Sequence, residues 1–220
     1  MTNELFAAVV SGDVETVRAI VREDPSLASA RDGSGLSVVL LALFNQQPEA
    51  AAALLEAEPE LGILEAAAAG RAERVGELLA ADPAALGERT PEGFTPLGLA
   101  AFLGGPGVVR VLLEHGADAD DDADNQFGVR PVNAAAASGD HETMRLLLEA
   151  GADSDARQQG GFTPLHAAAH SDDVEMARLL LDHGADPSLA TDDGRDSARI
   201  AADDGSAAVA ALLQERSRPG

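Results

Sequence analysis

The second half of the sequence repeats itself at a nearly constant interval. A glycine opens each block, and the successive glycines are Gly93, Gly128, Gly161 and Gly194. Three of these blocks end alike, with two leucines followed shortly by Gly-Ala-Asp, at 116–118, 151–153 and 184–186. A fixed period of this length is typical of small structural units that stack in a row and cover one another's apolar faces. The repeat alone therefore predicts a solenoid.

The first half repeats at an interval of 58 residues (70 − 12 and 102 − 44), which contains two repeats instead of one. Gly12 recurs as Gly70, and Phe44 recurs as Phe102. We interpret 1–58 and 59–116 as a duplicated pair of shorter repeats, in which Glu-Pro-Glu at 58–60 replaces the Gly-Ala-Asp segment. The two halves together predict one domain over residues 1–216, with a frayed tail at 217–220. Its seven helix pairs are expected near 3–34, 35–61, 62–92, 93–127, 128–160, 161–193 and 194–216.

Each block carries signals for two helices. In the block from Gly161, the hydroxyl of Thr163 is suited to cap a helix that starts at Pro164. Proline is tolerated at the first helical position because the N–H that it lacks would not be hydrogen-bonded within the helix. This first helix, over 164–171, is rich in alanine. Asp172 and Asp173 are then expected to cap a second helix. In the first block Asn3 is the expected cap. The pattern predicts an all-α fold.

Two motifs resemble the ankyrin repeat: Gly-Phe-Thr-Pro-Leu at 93–97, and the same five residues followed by His-Ala-Ala-Ala at 161–169. Residues 93–193 match the family pattern closely, and the N-terminal half is more degenerate. The resemblance implies an all-α solenoid of helix-turn-helix pairs with hairpin fingers. It also implies a non-catalytic module that binds another protein through a concave face of turn tips and first helices. In such repeats the histidine at the His166 position hydrogen-bonds to the backbone of a neighbouring turn.

Five of the six phenylalanines map to this concave face when family positions are carried over. Some lie beside a turn glycine and others late in a first helix, where the family exposes side chains. The predicted protein-binding residues of this kind, with two equivalent late positions, are Phe44, Phe94, Phe102, Leu103, Phe127, Phe162 and His170. Exposed aromatic side chains on one surface commonly anchor protein interfaces. The alternative is that these rings pack between turns as part of the core.

An unusually long acidic loop follows Gly116. Its acidic residues Asp120, Asp121 and Asp122 are candidates for contact with basic groups of a partner. Aspartates alternate at 118, 120, 122 and 124, as in the start of an EF-hand calcium loop, but Ala123 and Val129 stand where that loop needs glycine and glutamate. We therefore assign no metal ligands. A solvated loop without a binding role remains a further interpretation.

The net charge is −23, and all 15 basic residues are arginine. Such a charge repels nucleic acid and anionic lipid and attracts basic partners. It also favours a second function, that of an acidic inhibitor or immunity-type protein that blocks a basic enzyme. Simple colloidal solubility also explains the charge, and adaptation to a high-salt source is a third explanation. The lysine-free, arginine- and alanine-rich composition is typical of a GC-rich bacterial genome.

No enzyme signature occurs in the sequence. It has no cysteine, no lysine and no nucleophile or phosphate-loop motif, and its histidines lack the His-Glu-x-x-His arrangement of metalloproteases. We therefore predict no enzymatic activity, no cofactor and no metal. The N-terminus lacks the basic segment of a secretory signal, and no apolar run approaches the ~20 residues of a membrane helix. The expectation is a monomeric cytoplasmic protein.

Overall fold

The computed structural model describes residues 1–121 and 127–216. The expected frayed tail at 217–220 therefore lies outside the described residues. Within the described ranges the chain forms helices and turns, and its only β-type pairing consists of isolated bridges. The α-helices are α1 (Thr2–Ser11), α2 (Val14–Glu23), α3 (Val38–Phe44), α4 (Pro48–Glu56), α5 (Ile63–Ala68), α6 (Ala72–Ala81), α7 (Pro96–Leu99), α8 (Pro106–Glu114), α9 (Pro131–Ser138), α10 (His141–Glu149), α11 (Pro164–His170), α12 (Val174–Asp182), α13 (Ser197–Asp204) and α14 (Ala207–Arg216).

These helices pack in consecutive antiparallel pairs, each with an odd-numbered first helix and an even-numbered second helix. First helices contact first helices from α1 through to α13, and second helices contact one another from α2 to α4 and from α6 to α14. The predicted all-α solenoid is therefore confirmed. Two apolar clusters fill it, one within α1 to α4 and one running from α3 to α14. Among the described helices, none combines the length and apolar character needed to cross a bilayer.

Aspartates precede and cap three of the seven described second helices. Asp13, Asp140 and Asp173 accept hydrogen bonds from backbone N–H groups in the first turns of α2, α10 and α12, at 3.1, 3.0 and 3.0 Å respectively. Such bonds satisfy N–H groups that the helix itself leaves unpaired. The expectation for Asn3 was wrong, because Asn3 lies inside α1, which begins after Met1 without a side-chain cap.

Asp172 does not cap the helix that follows it, which was its expected role. Its backbone is left-handed, with φ of 55°. Its Oδ1 accepts hydrogen bonds from the N–H groups of Ala208 and Val209, at 3.1 and 2.9 Å, at the start of α14. Asp172 therefore caps the second helix of the next pair and ties two repeats together.

Tight turns form a row of fingers in front of the first helices. Hydrogen bonds from Asp32 to Leu36, Thr90 to Phe94, Gln158 to Phe162 and Thr191 to Arg195 close four of them. Between α4 and α5 the chain passes through 57–62 without such a closed turn, and its Glu60 N–H donates to the Ser29 hydroxyl at 3.0 Å. The row of fingers is therefore interrupted in front of α5.

The helix that begins with α7 ends in an irregular turn. It continues from Leu99 into a π-helical turn, Ala100–Gly104, closed by a 2.8 Å hydrogen bond from Gly105 N–H to the Ala100 carbonyl. Gly104 lies directly against α5, since a Cβ at this position would be 2.0 Å from the carbonyl oxygen of Ala67. The absence of a side chain at Gly104 thus lets two repeats approach closely.

Candidate functional site

An apolar cleft of about 260 Å³ lies between the first helices α7 and α9. We call it the aromatic cleft. It opens on the face formed by the turns and first helices, which is the face that the family resemblance identifies as concave. Eight of its ten lining residues occupy equivalent positions of two adjacent repeats: Phe94 and Val129, Gly98 and Asn133, Leu99 and Ala134, Phe102 and Ala137. Phe44 and Gln158 complete the lining.

Small side chains at particular positions make room for the cleft. Gly98 stands where the next two repeats carry Asn133 and His166, both buried. Ala137 stands where the following repeat carries His170. At one repeat further on, the same surface is therefore occupied by larger side chains. The cleft results from glycine and alanine at positions that the neighbouring repeats fill.

Two of the predicted interface rings meet although they belong to repeats that are not adjacent. Phe44 is the last residue of α3, and Phe94 closes the turn before α7. Their ring centroids are 6.0 Å apart with an interplanar angle of 45°. The interrupted row of fingers in front of α5 leaves the space in which the two rings make contact. Both rings are half-buried, so each packs on its neighbours and still faces the cleft.

Phe102 supplies the outer wall of the cleft. It lies in the π-helical turn, and 41% of its surface is exposed. Large apolar side chains exposed to this extent are few among the described residues, the others being Met1, Val10 and Phe127. The structure thus brings Phe44, Phe94 and Phe102 together at one open apolar surface.

The remaining predicted residues of the concave face lie outside the cleft. Phe162 packs edge-on against His166 at 5.8 Å. His170 is exposed, and its Nδ1 is 2.7 Å from a carboxylate oxygen of Asp204. Leu103 lines a separate cleft of about 480 Å³ beside α4. Phe127 is 42% exposed in the turn before α9.

His166 joins its own repeat to the next turn, as the resemblance implies. Its Nδ1 accepts a hydrogen bond from the Thr163 N–H at 3.0 Å, so the proton must lie on Nε2, which donates to the Leu189 carbonyl at 3.0 Å. Burial lowers the pKa of His166 because a charged ring would be desolvated. Asn133 makes the equivalent contacts one repeat earlier, with the Arg130 N–H at 3.1 Å and the Ala156 carbonyl at 2.9 Å.

The acidic candidates have partners inside the chain. Asp120 accepts the backbone N–H of Asp153 at 2.8 Å, and Asp121 pairs with Arg89 at 3.0 Å. Asp122 lies outside the described residues, as does Asp124 of the loop considered for calcium. Among residues 1–121 and 127–216, no three His, Asp or Glu side chains are close enough to share a metal ion.

One repeat later Asp155 accepts the Asp186 N–H at 2.9 Å, so aspartates link successive fingers in a ladder. Burial raises the pKa of Asp155, and the neighbouring carboxylates of Asp153 and Asp186 raise it further, against the lowering effect of the Asp186 hydrogen bond. The described part of the acidic loop therefore contributes to finger-to-finger contacts, whatever else it binds.

Sequence reasoning missed the small and polar residues of the cleft. Gly98, Ala134 and Ala137 carry no motif, and their importance follows only from aligning the two adjacent repeats residue by residue. Gln158 was missed as well. Its side-chain amide is half-buried at the cleft and makes no hydrogen bond with any described residue.

Comparisons with known proteins agree with the repeat architecture. A family model described as ankyrin repeats (3 copies) matches residues 63–158 and 132–219. The chain is also 32% identical over 155 residues to the ankyrin repeat domain-containing protein SAT10 of Stachybotrys chartarum. This match covers 68% of the chain. The match covers 8% of that larger protein. Less than a tenth of the length of this relative is therefore matched by the chain.

Proposed function

Because the chain belongs to the ankyrin-repeat family, whose repeats are protein–protein interaction modules, we propose that it is a non-catalytic scaffold that holds a partner protein on its concave face. The observation that carries this proposal is the convergence of Phe44, Phe94 and Phe102 at an open apolar cleft. Residues 1–216 would form one such domain, monomeric and cytoplasmic.

Burial of exposed aromatic surface provides the binding energy in this proposal. Transfer of apolar surface out of water stabilises a complex by about 25 cal/mol per Å². Phe102 still exposes a large fraction of its surface, whereas Phe44 and Phe94 already pack against each other. The helices that hold the rings are stacked on both sides, so little conformational entropy is lost when a partner binds. Phe102 is therefore the expected anchor of the interface.

The test compares matched single variants in affinity capture from a lysate of the source organism. Phe102→Ala should leave the helical circular dichroism spectrum unchanged and reduce capture of the partner at least tenfold. Arg178→Ala, on the exposed surface of α12, is the control and should capture as the wild type does. Phe127→Ala separates a contribution of the turn tip from that of the cleft. Unreduced capture by Phe102→Ala would count against a concave-face interface.

A second candidate function, an acidic inhibitor of a basic enzyme, is favoured by the charge of −23. Eleven arginines of the described residues pair with carboxylates of the chain itself, and in the whole sequence acidic residues outnumber basic ones by 23 (38 against 15). Salt distinguishes this function from the scaffold. At 0.5 M salt the screening length is about 4 Å. Inhibition that depends on attraction between opposite charges should then be lost, whereas binding through apolar contacts in the aromatic cleft should persist.

A further inference from the structure

We propose that the aromatic cleft receives one aromatic side chain from a partner segment in which arginine or lysine residues flank that side chain, an assignment that rests on the proposed function and specifies its ligand. The size of the cleft, the chemistry of its lining and the charge around it each support one part of this assignment.

The volume of the cleft suits a single side chain. At about 260 Å³ it lies below the ~300–1,000 Å³ of pockets that bind drug-sized molecules. Three phenylalanine rings, those of Phe44, Phe94 and Phe102, are among its lining. Aromatic rings prefer tilted or edge-to-face neighbours with centroids about 4.5–7 Å apart, the geometry that Phe44 and Phe94 already show. A fourth ring would extend this cluster towards Phe102.

The chemistry of the lining disfavours a charged occupant, because only uncharged aromatic rings could offset the loss of its hydration shell. None of the ten lining residues is acidic or basic, so an ammonium or guanidinium group inside would be desolvated without a counter-charge. The polar groups of Asn133 are engaged by Arg130 and Ala156. Gln158 is the polar side chain at the cleft that has no partner among the described residues, so its amide is placed to hydrogen-bond with the backbone next to the inserted ring.

The surroundings of the cleft favour cations on either side of the aromatic residue. The net charge is −23, and most arginines are already matched by the chain's own carboxylates. Glu92 is exposed two residues before Phe94 and forms no ion pair with the described residues. Flanking basic residues would gain favourable electrostatic interaction at the rim while the ring is buried.

The composition of the chain provides a direct assay. The protein contains no tryptophan and no tyrosine, so the fluorescence of a tryptophan in an added peptide is free of protein background. The probe is a short peptide with a central tryptophan and the same number of residues on each side of it. It contains two arginines, one on either side of the tryptophan. With the wild-type protein we expect a saturable blue shift of the tryptophan emission, because the ring leaves water.

A matched pair of variants locates the binding. Ala137→His fills the cleft with the residue that the next repeat carries at the equivalent position, and should weaken the peptide at least tenfold. Ala80→His introduces the same residue on the exposed surface of α6 and should change nothing. Circular dichroism establishes that both variants fold. Equal binding by Ala137→His and the wild type would overturn the assignment to the cleft.

Three altered probes test the chemistry of the occupant by competition with the tryptophan peptide. Replacing the tryptophan by arginine, or the flanking arginines by glutamate, should abolish competition. N-acetyltryptophanamide, which has the ring without the flanks, should compete at least a hundredfold more weakly. Competition by the arginine peptide would overturn an aromatic occupant, competition by the glutamate peptide would overturn basic flanks, and strong competition by the amide would indicate a small-molecule site instead.

Failure of this assignment differs from failure of the proposed function. If the cleft binds no aromatic peptide while Phe102→Ala still abolishes partner capture, the concave face binds a protein by other contacts and only the ligand assignment is wrong. If Phe102→Ala leaves partner capture unchanged, the proposed function itself is wrong.

Discussion

Replacing Gly104 by alanine should destabilise the fold through one steric contact. The new Cβ would lie 2.0 Å from the carbonyl oxygen of Ala67, whereas ordinary contacts of a Cβ begin at 3.4 Å. The π-helical turn and α5 would therefore have to separate by the difference between these two distances. Ala67 and Ala100 are both fully buried, so this separation opens the apolar core on each side. Overpacking of this kind costs about 1–3 kcal/mol, and the depth of the clash places Gly104→Ala near the upper limit.

Gly107 provides a matched control in the helix that follows. It lies in α8, and nothing stands within 4 Å of the position of its Cβ. Gly107→Ala should therefore stabilise the protein by about 0.4–1 kcal/mol, since alanine restricts the unfolded chain without a clash. The same chemical change is thus expected to act with opposite sign at the two positions.

Urea unfolding followed by far-ultraviolet circular dichroism measures both effects, because the chain lacks tryptophan and tyrosine as fluorescent reporters. Gly104→Ala should lower the midpoint, and Gly107→Ala should raise it. A midpoint for Gly104→Ala equal to that of the wild type would refute the close approach of the two repeats. Since Phe102 lies in the same turn, the peptide affinity of the aromatic cleft should fall together with the midpoint.

Other predictions concern the links between repeats. Burial lowers the pKa of His166, so the unfolded chain binds a proton more readily than the folded chain, and the stability should fall as the pH drops below about 6.5. His166→Asn introduces the residue of the preceding repeat and should reduce this fall, measured as urea midpoints on both sides of that pH. An unaltered pH dependence would contradict the buried neutral ring. Asp172→Ala should destabilise the C-terminal pair by about 1 kcal/mol through loss of its cap on α14, whereas Asp172→Asn retains an acceptor and should be milder in the same assay. Added calcium should leave the melting temperature unchanged, and a rise of several degrees would revive the EF-hand interpretation of the acidic loop.

The helical framework was readable from the sequence because its signals are local. Thr163, Pro164 and Asp173 act on the first turn of the helix that contains or follows them, and the structure starts α11 and α12 at those positions. The expectation for Asn3 failed because α1 starts before it, so Asn3 is a helical residue and not the residue that precedes the helix. Asp172 was assigned to its own repeat, whereas a left-handed backbone directs its carboxylate to the next one.

The repeat period and the alternation of apolar positions within each block determined by themselves that this chain is a stack of helix pairs, because each pair must cover the exposed apolar side of its neighbour. Only the tertiary structure decided which rings share a surface. Phe44 and Phe94 are far apart in the sequence, and they touch because the chain omits a closed turn in front of α5. The cleft beside them exists because Gly98 and Ala137 leave unfilled the space that larger side chains take in other repeats. Such contacts depend on how neighbouring repeats lie against each other in space, and no signal within a single repeat encodes that.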